Sequence, residues 1–230
     1  MLRQRVSEIM DDPRVDPIAH AQALRALNRV NGLLGVDRCL KRTLTRFGDE
    51  GLSILDLGCG GGGFLANLRR GHENHWRNTL VGLDRSEQAL KSARDWHSGT
   101  IHWVSGDACR IPLANESVDV VTCSLFLHHF DEADGTRILQ EAARIAKRGI
   151  VIGDLLRSRL AWVVTWLMTR VLSRSRIFHV DGPRSVRAAF RKDELANLAR
   201  DAGLNGATVK KSFPFRLVLT WVKDANPIKP

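Results

Sequence analysis

The feature that most constrains this chain is the glycine-rich segment ILDLGCGGGGFLANL, residues 54–68, in which five of the six positions from 58 to 63 are glycine. The residues before it read as a short apolar strand, and the residues after it read as an amphipathic helix. Glycine has no Cβ and adopts positive φ readily, so a loop of this kind turns sharply and lets another group approach the backbone closely. The segment alone does not say whether that group is a phosphate, a nucleoside or another helix.

From Leu52 onward, apolar strands alternate with helices. We predict strands at 52–58, 78–84, 100–107, 117–124 and 149–156, with helices at 63–70, 86–97 and 132–148 between them. Strands that are apolar on both faces and separated by helices are typical of a parallel sheet covered on both sides. A helix at 191–204 and two strands at 207–223 follow, and the short turn at Pro214 makes that tail antiparallel in character.

The domain organisation follows from the same pattern. Two helices, at 17–35 and 36–48, predict an N-terminal helical cap over residues 1–50, with Pro13–Pro17 as a flexible lead-in. Residues 51–230 then form the main domain. Within it, a helix at 156–172 and a basic, turn-rich stretch at 173–190 predict a helical insertion at about 155–190, after the fifth strand.

Composition excludes several classes of protein. The four cysteines form no C-x-x-C pair, so neither a zinc site nor a disulfide framework is predicted and no metal is expected. The N-terminal residues lack an apolar signal region, and the uninterrupted apolar run at 160–168 is too short to span a bilayer, which favours a cytoplasmic protein. The formal net charge of +10 favours an anionic partner or simply reflects solvated faces.

Acidic side chains stand at the ends of three predicted strands, at Asp56, Asp84 and Asp107. Ligands of open α/β sheets bind outside the carboxyl ends of the strands, so these carboxylates are expected at one site. Asp84 is placed to accept hydrogen bonds from a ribose diol. Asp107, beside the backbone N–H of Ala108, is placed to accept from the amino group of adenine.

The first of these acids excludes phosphate ligands. A carboxylate at Asp56, where the glycine loop begins, repels a pyrophosphate but suits a cationic amino group. No G-K-[ST] follows the glycines, so the loop is not a P-loop. A ligand with adenine, ribose and an ammonium group but no phosphate is S-adenosylmethionine, which is the predicted cofactor.

Residues Leu52–Phe130 resemble the class I S-adenosylmethionine-dependent methyltransferases. The resemblance lies in the loop DLGCGGG, the acid that ends VGLDRS, and the phrase GDACRIPLANESVDVV followed by SLFLHHF. The last phrase is similar to the ubiquinone and menaquinone methyltransferases, which act on small molecules. This resemblance implies a Rossmann-like, doubly wound, seven-stranded sheet, mostly parallel with an antiparallel C-terminal strand.

The resemblance also implies roles for individual residues. Gly58, Gly60 and Gly62, with Cys59 between the first two, are expected to line the methionine tail, near Asp56. The implied contacts elsewhere are Asp84 on the ribose, Arg85 against the adenine, Asp107 and Ala108 on the adenine edge, and Ser124 beside the sulfonium. Gly61 and Gly63 have no implied role and are expected to tolerate alanine. The N-P-P-[YF] signature of amino methylation is absent, since CSLF stands in its place, and this lowers the expectation of nucleic-acid base methylation.

Three histidines are candidates for a general base. His128 and His129 follow the fourth strand, and His179 stands near Asp181. An imidazole titrates near neutral pH and can take the proton of a phenol or enol acceptor. The alternative for the adjacent pair is that one or both histidines pack or cap a helix.

The acceptor is predicted to be small and either aromatic or lipidic, methylated on oxygen or carbon, as in polyketide or quinone pathways of secondary metabolism. An apolar stripe on the 156–172 helix could cover such an acceptor, form a homodimer surface, contact a membrane peripherally or pack on the sheet. Two other functions stay open: an RNA methyltransferase that uses the basic surface, and a cofactor-binding scaffold without turnover.

Overall fold

A computed structural model describes residues 1–33, 35–48, 51–70, 79–97, 99 and 101–223. The first residues of two predicted strands, at 78 and 100, and the domain ends at 49–50 and 224–230 lie outside the described residues. The strands are β1 Ile54–Leu57, β2 Leu80–Asp84, β3 Ile101–Ser105, β4 Val118–Ser124, β5 Ala146–Leu155, β6 Thr208–Ser212 and β7 Arg216–Val222. The helices are α1 Pro17–Leu33, α2 Val36–Leu44, α3 Gly63–Arg70, α4 Glu87–Trp96, α5 Glu132–Ile145, α6 Arg159–Leu172, α7 Arg176–Ala188 and α8 Lys192–Asp201.

The seven strands form one sheet in the order β3-β2-β1-β4-β5-β7-β6. Strands β1 to β5 pair in parallel, whereas β7 runs antiparallel to both β5 and β6. The order reverses between β1 and β4, which is where a doubly wound sheet opens a crevice for a ligand. The predicted Rossmann-like fold with an antiparallel C-terminal strand is confirmed.

Each face of the sheet carries its own apolar core. On β1, Leu55 and Leu57 belong to the core shared with α5 and α8, while Ile54 belongs to the core shared with α2 and α3. Side chains that alternate between two covered faces explain why the strands are apolar throughout. Asp56 is on the same face as Ile54, and this alternation places a carboxylate in the interior at the end of the strand.

Two parts of the predicted organisation need correction. The first sixteen residues were assigned to a helical cap, but they contain only a 3-10 turn, Ile9–Asp11, before α1 begins at Pro17. The stretch 173–190 was predicted to be turn-rich, but most of it forms α7, in which Pro183 lies inside the helix. Ser175 caps this helix by accepting from the Phe178 N–H, and the burial of Phe178 and Val186 outweighs the local turn signals.

The position of α6 tests whether its apolar stripe packs on the sheet, which is one of the four roles considered for it. The helix packs on α7 through a face that contains Ala161 and Thr169, both of which are buried. The predicted stripe points the other way, and its exposed members are Leu160, Val163, Leu167 and Val171, with Trp166 beside them. The stripe from Leu160 to Val171 therefore does not pack on the sheet, whereas Leu156, its first predicted member, packs against the core. None of the helices in the described part of the chain has the length and apolar character needed to cross a membrane.

Candidate functional site

A cavity opens at the carboxyl ends of β1 and β4, where the strand order reverses. Its lining includes Leu24, Asn28, Asp56, Gly58, Cys59, Gly60, Ser124 and Leu125. Five of the predicted cofactor residues therefore meet at one place, and α1 supplies the opposite wall. The N-terminal helix is thus part of the site, which the strand pattern alone did not indicate.

Two carboxylates line this cavity, Asp56 and Asp37, and Asp56 is the buried one. Its side chain is 2% exposed and accepts a hydrogen bond from Thr122 Oγ1 at 2.8 Å. Burial raises the pKa of Asp56 to about 7, because desolvation penalises the ionised carboxylate more than the single hydroxyl compensates. A cationic group in the cavity would restore the missing partner, so the site suits an ammonium group.

The glycines of the loop differ in what they make room for. Gly58 and Gly60 have φ of +65° and +51° and line the cavity, and a Cβ on Gly58 would lie 2.2 Å from the ring of Phe126. Gly62, expected on the methionine tail, has φ of +73° but faces Trp103, whose ring would lie 2.3 Å from an added Cβ. Gly62 therefore serves the packing of the loop.

The expectation that Gly61 and Gly63 tolerate alanine holds only if the neighbouring side chains can move. An added Cβ would lie 2.7 Å from the Trp96 ring at position 61 and 2.6 Å from Asn28 Oδ1 at position 63. Contacts this short require the neighbouring side chain to move. The glycine run is thus explained partly by the packing of α1 and α4 against the loop.

Asp84 braces the glycine loop from the end of β2. Its Oδ2 accepts from the Gly60 N–H at 2.8 Å, and its Oδ1 accepts from the Ser86 N–H at 2.8 Å. Burial raises the pKa of Asp84, although these two backbone donors oppose the shift. Ser86 also caps α4 by accepting from the Ala89 N–H. If Asp84 also accepts from a ribose, it does so in addition to bracing the glycine loop.

The remaining predicted cofactor residues lie on the same edge of the sheet. The Gly106 N–H donates to the Asp84 carbonyl at 3.0 Å, which brings Asp107 beside the end of β2. The Asp107 carboxylate is exposed and accepts from the Cys109 N–H at 2.8 Å, whereas the Ala108 side chain is buried in the core. Arg85 is exposed. These positions are compatible with an adenine on the β2–β3 side of the site.

His128 is held by a carboxylate that the sequence analysis did not select. A 3-10 turn, Leu127–His129, follows β4, and the pairing of Ser124 with Gly153 brings Asp154 alongside it. Asp154 accepts from the His128 backbone N–H at 2.9 Å and lies 2.7 Å from His128 Nδ1. Asp154 lies two residues before the end of the predicted fifth strand, so the strand-end rule that selected three other acids could have selected it as well.

Glu8 completes the environment of the two histidines. Its carboxylate oxygens lie 3.7 Å from His128 Nε2 and 3.9 Å from His129 Nε2, and Asp11 lies 3.0 Å from His129 Nδ1. Together these side chains line a cavity of about 240 Å³. We call Glu8, His128 and His129 the His–Glu cluster.

The charge state of His128 argues against its predicted role as a base. Burial alone would lower the pKa of His128, but the hydrogen bond with Asp154 and the negative charges of Asp154 and Glu8 outweigh it and raise that pKa to about 10. In the free protein His128 therefore holds a proton near neutral pH. A group that is already protonated cannot accept the proton of an acceptor.

The N-terminal segment is held across the site by specific contacts. The buried carboxylate of Asp181 accepts from the backbone N–H groups of Ile9 and Met10 at 2.9 and 3.0 Å. Arg3 donates to two backbone carbonyls beside the histidine turn and α7, at 2.6 and 2.7 Å. These bonds fix Glu8 over the histidines. The sequence around Glu8 does not predict that its side chain lies over the histidines, because this placement depends on contacts with residues far along the chain.

His179 lies outside this group. Its Nε2 is 2.7 Å from the backbone carbonyl of Ser173, within the connection between α6 and α7. Asp181, its predicted partner, is bonded to the N-terminal segment instead. The structure therefore does not bring His179 into the cavity with His128 and His129, and its predicted catalytic role loses its geometric support.

The described geometry fits a methyl donor of the predicted kind. The glycine-loop cavity offers a desolvated carboxylate to a cation, while the His–Glu cluster lies beyond Leu125 and Phe126. Leu125 itself adopts φ of +54°, a conformation that non-glycine residues rarely adopt except where the surrounding structure enforces it. The Phe126 ring lies between the two cavities, next to Gly58 of the first and 6.1 Å from the His129 ring of the second.

Comparison with known proteins agrees with this architecture. Residues 55–152 match the family described as Methyltransferase domain. The chain is 32% identical over 171 residues to a ubiquinone biosynthesis O-methyltransferase of Thiobacillus denitrificans. The aligned residues cover 70% of this chain and 67% of that relative. The chain is 34% identical over 103 residues to a malonyl-[acyl-carrier protein] O-methyltransferase of Pectobacterium atrosepticum, which covers 45% of this chain and 38% of the relative.

Structural comparison extends over nearly the whole chain. The plantazolicin methyltransferase BpumL, solved in complex with SAH, superimposes with a TM-score of 0.70 at 16% identity and covers 94% of both chains. In contrast, the chain spans only 22 to 45% of the length of several curated relatives that it matches. The fold, the family match and the Thiobacillus relative all agree. The chain therefore belongs to the class I S-adenosylmethionine-dependent methyltransferases.

Proposed function

We propose that this protein transfers the methyl group of S-adenosylmethionine to a hydroxyl group of a small aromatic or lipidic acceptor. The observation that carries the proposal is the placement of two cavities, one at the glycine loop and one at the His–Glu cluster, with the Phe126 ring next to Gly58 of the first and 6.1 Å from the His129 ring of the second. When bound, S-adenosylmethionine supplies a methyl group on a sulfonium, and transfer leaves the electron pair of the broken C–S bond on sulfur.

The first cavity supplies the groups that would hold the cofactor. Asp56 would pair with the amino group of the methionine tail, and Gly58 and Gly60 would let that tail approach the backbone. Asp84 would accept from the ribose while bracing Gly60, and Asp107 would accept from the adenine. Each role uses a side chain or backbone position on the strand-end edge of the sheet.

The second cavity would orient the acceptor. Methyl transfer is an in-line displacement, so positioning of the attacking oxygen supplies much of the acceleration. The His–Glu cluster offers imidazole and carboxylate groups to a hydroxyl and promotes loss of its proton, since a phenol or enol attacks best as its anion. A cavity with this polar lining suits a hydroxyl better than an unactivated ring carbon.

The test is turnover of S-adenosylmethionine with a panel of phenols, resorcinols and hydroxyquinones, and with bulk RNA. We expect methylation on oxygen in at least one small acceptor and a loss of at least a hundredfold in kcat in His129→Ala, with cofactor affinity kept. His179→Ala is the matched control and should retain the rate. Methylation of RNA alone, or cofactor binding without turnover, would refute the proposal and favour one of the two alternatives.

The exposed face of α6 supports a lipidic acceptor taken from an anionic membrane. Its apolar residues are 42 to 67% exposed, so the face is unusually apolar for a soluble surface. Exposed arginines flank it at 159, 170, 174 and 176, and the sequence from 155 to 180 contains no acidic residue. An apolar helix face with flanking cations is complementary to the interface of an anionic bilayer.

Sedimentation with vesicles tests this part of the proposal. The wild type should bind vesicles of phosphatidylglycerol and phosphatidylcholine more strongly than phosphatidylcholine alone, and Val163→Glu with Leu167→Glu should lose at least tenfold in affinity. Phe213→Glu, at a position that is 94% exposed but far from α6 in the chain, is the control. A stable dimer that dissociates in the double variant, without vesicle binding, would assign the face to a second copy instead.

A further inference from the structure

The geometry points to a site for a transition-metal dication, Zn²⁺ in the first instance, bound by Glu8, His128 and His129. One donor atom from each of these three side chains lies within 4.8 Å of the other two. The inference rests on the proposed function, because it assigns to the same cluster the means by which an acceptor hydroxyl would be activated.

The distances are longer than hydrogen bonds and close to those between two ligands of one ion. The separations of 3.7 Å from His128 Nε2 to Glu8 and 3.9 Å from His129 Nε2 to Glu8 exceed a normal hydrogen bond. Two ligands of one tetrahedral ion at about 2.0–2.1 Å lie about 3.4 Å apart. The two separations from Glu8 exceed that spacing by about half an ångström or less, and all three donor atoms lie within 4.8 Å of one another.

The orientation of both rings matches metal-binding histidines. His128 Nδ1 lies 2.7 Å from Asp154, and His129 Nδ1 lies 3.0 Å from Asp11. A carboxylate at Nδ1 favours the proton on that nitrogen, so a metal at His128 Nε2 would take the place of the second proton of that ring. Metal-ligating histidines are usually held by such a partner, and here both rings have one while both Nε2 atoms face Glu8.

The donor set selects the kind of ion. Two imidazoles and one carboxylate form a set found in catalytic zinc sites and in other first-row metal sites, whereas Mg²⁺ and Ca²⁺ prefer oxygen ligands alone. The Glu8 and His128 side chains are nearly buried, at 12% and 3% exposure, and the His129 side chain is 21% exposed. The adjoining cavity of about 240 Å³ leaves space for further coordination positions.

The chemistry that such an ion would add is activation of the acceptor. A hydroxyl that coordinates a dication loses its proton more easily, because the metal stabilises the oxyanion. That proton leaves to solvent in the cavity, the oxygen forms a bond to the methyl carbon, and the C–S bond breaks with its electron pair on sulfur. The metal is unchanged at the end of the step.

The experiment uses the tag-free full chain, stripped of metal with a chelator. Zn²⁺ is titrated by calorimetry and Co²⁺ by visible absorption, both without cofactor, and one ion per chain is expected. Glu8→Gln and His129→Ala should each weaken Zn²⁺ binding at least tenfold. Asp12→Asn, which changes a carboxylate of the same segment that is bound to Arg14, and His179→Ala are the matched controls and should bind Zn²⁺ as the wild type does. Circular dichroism confirms that each variant is folded.

The outcomes separate this inference from the proposed function. Stoichiometric binding that is weakened in both cluster variants and kept in both controls supports the metal site. Absence of binding, or equal binding in folded Glu8→Gln and His129→Ala, overturns it, and full turnover by the stripped enzyme in that case would leave the proposed function intact. Zn²⁺ binding with the expected pattern but no methyl transfer to any acceptor would keep the metal site and remove the proposed function.

Discussion

Replacement of Asp56 by asparagine should stabilise the protein while it impairs cofactor binding. Burial raises the pKa of Asp56 from 3.8 to about 7 in the folded protein. Between these values the unfolded chain has lost a proton that the folded protein retains, so stability decreases as pH rises from about 4 to about 7. The rise in the Asp56 pKa from 3.8 to about 7, at 1.36 kcal/mol per pH unit, destabilises the folded protein by about 4 kcal/mol above pH 7.

Asparagine removes this penalty because its amide does not ionise. The local hydrogen bonds can be kept, since Thr122 Oγ1 lies 2.8 Å from Asp56 Oδ1 and 3.3 Å from the Leu55 carbonyl. The new amide can donate to Thr122 while Thr122 donates to Leu55. We expect Asp56→Asn to gain about 2–4 kcal/mol in unfolding free energy at pH 8 and to show a flatter pH profile.

Cofactor binding should change in the opposite direction. An ammonium group that loses a buried, charge-assisted partner should bind about a hundredfold more weakly in Asp56→Asn. In the wild type, affinity should rise with pH through about 7, as Asp56 ionises. Urea unfolding at pH 5 and pH 8, with calorimetry of S-adenosylmethionine at each pH, measures both effects.

Asp119→Asn provides the matched control. Asp119 lies near the start of β4, away from the carboxyl ends, and accepts from the backbone N–H and hydroxyl of Ser53 at 2.8 and 2.6 Å. Partial burial raises its pKa, but the Ser53 bonds and nearby cations outweigh that effect and lower it. Its amide variant should therefore lose stability and keep cofactor affinity. The reasoning about Asp56 is refuted if Asp56→Asn is less stable than the wild type at pH 8 or binds the cofactor equally well.

Three further changes test the site and its support. Asp84→Ala removes the acceptor of the Gly60 N–H and should weaken cofactor binding by about 2–4 kcal/mol in calorimetry. Asp84→Asn keeps one side-chain oxygen as an acceptor, so it should weaken cofactor binding by a smaller amount. Gly62→Ala introduces a methyl group 2.3 Å from the Trp103 ring at φ of +73°, so it should lower the unfolding free energy by about 1–3 kcal/mol. Arg157 is 4% exposed and pairs with Glu194. Arg157→Ala should lower the unfolding free energy by about 3–5 kcal/mol in urea. Arg159 is exposed, and Arg159→Ala should change the unfolding free energy by no more than about 0.5 kcal/mol.

The cofactor side of the site could be predicted because it is encoded locally. Parallel strands end at one edge of a sheet, so an acid at the end of each strand is enough to place Asp56, Asp84 and Asp107 together. The glycine run was interpreted less completely. Gly58 and Gly60 line the cavity, but Gly62 makes room for Trp103, and a sequence does not show which neighbour a missing Cβ accommodates.

The acceptor side could not be predicted in the same way. Glu8 precedes the sheet by many residues and reaches the histidines because Asp181 and Arg3 fix the N-terminal segment and Ser185 donates to the Glu8 carboxylate. The periodicity of α6 predicted a helix with an apolar stripe but not the side on which the stripe lies. Gly182 leaves room for the Thr169 methyl group, and this close approach of α7 turns the stripe outward.

By itself, the sequence determined the order of strands and helices, the glycine loop and the acids that follow it, because periodicity, glycine conformation and strand ends are properties of short segments. The tertiary structure alone decided which histidine is paired with which carboxylate, that Glu8 belongs to the site, and that α6 presents an apolar face to solvent. These features depend on contacts between residues distant in the chain, and burial then sets their charge. Local sequence patterns contain no information on these long-range contacts or on the charge that burial gives the residues.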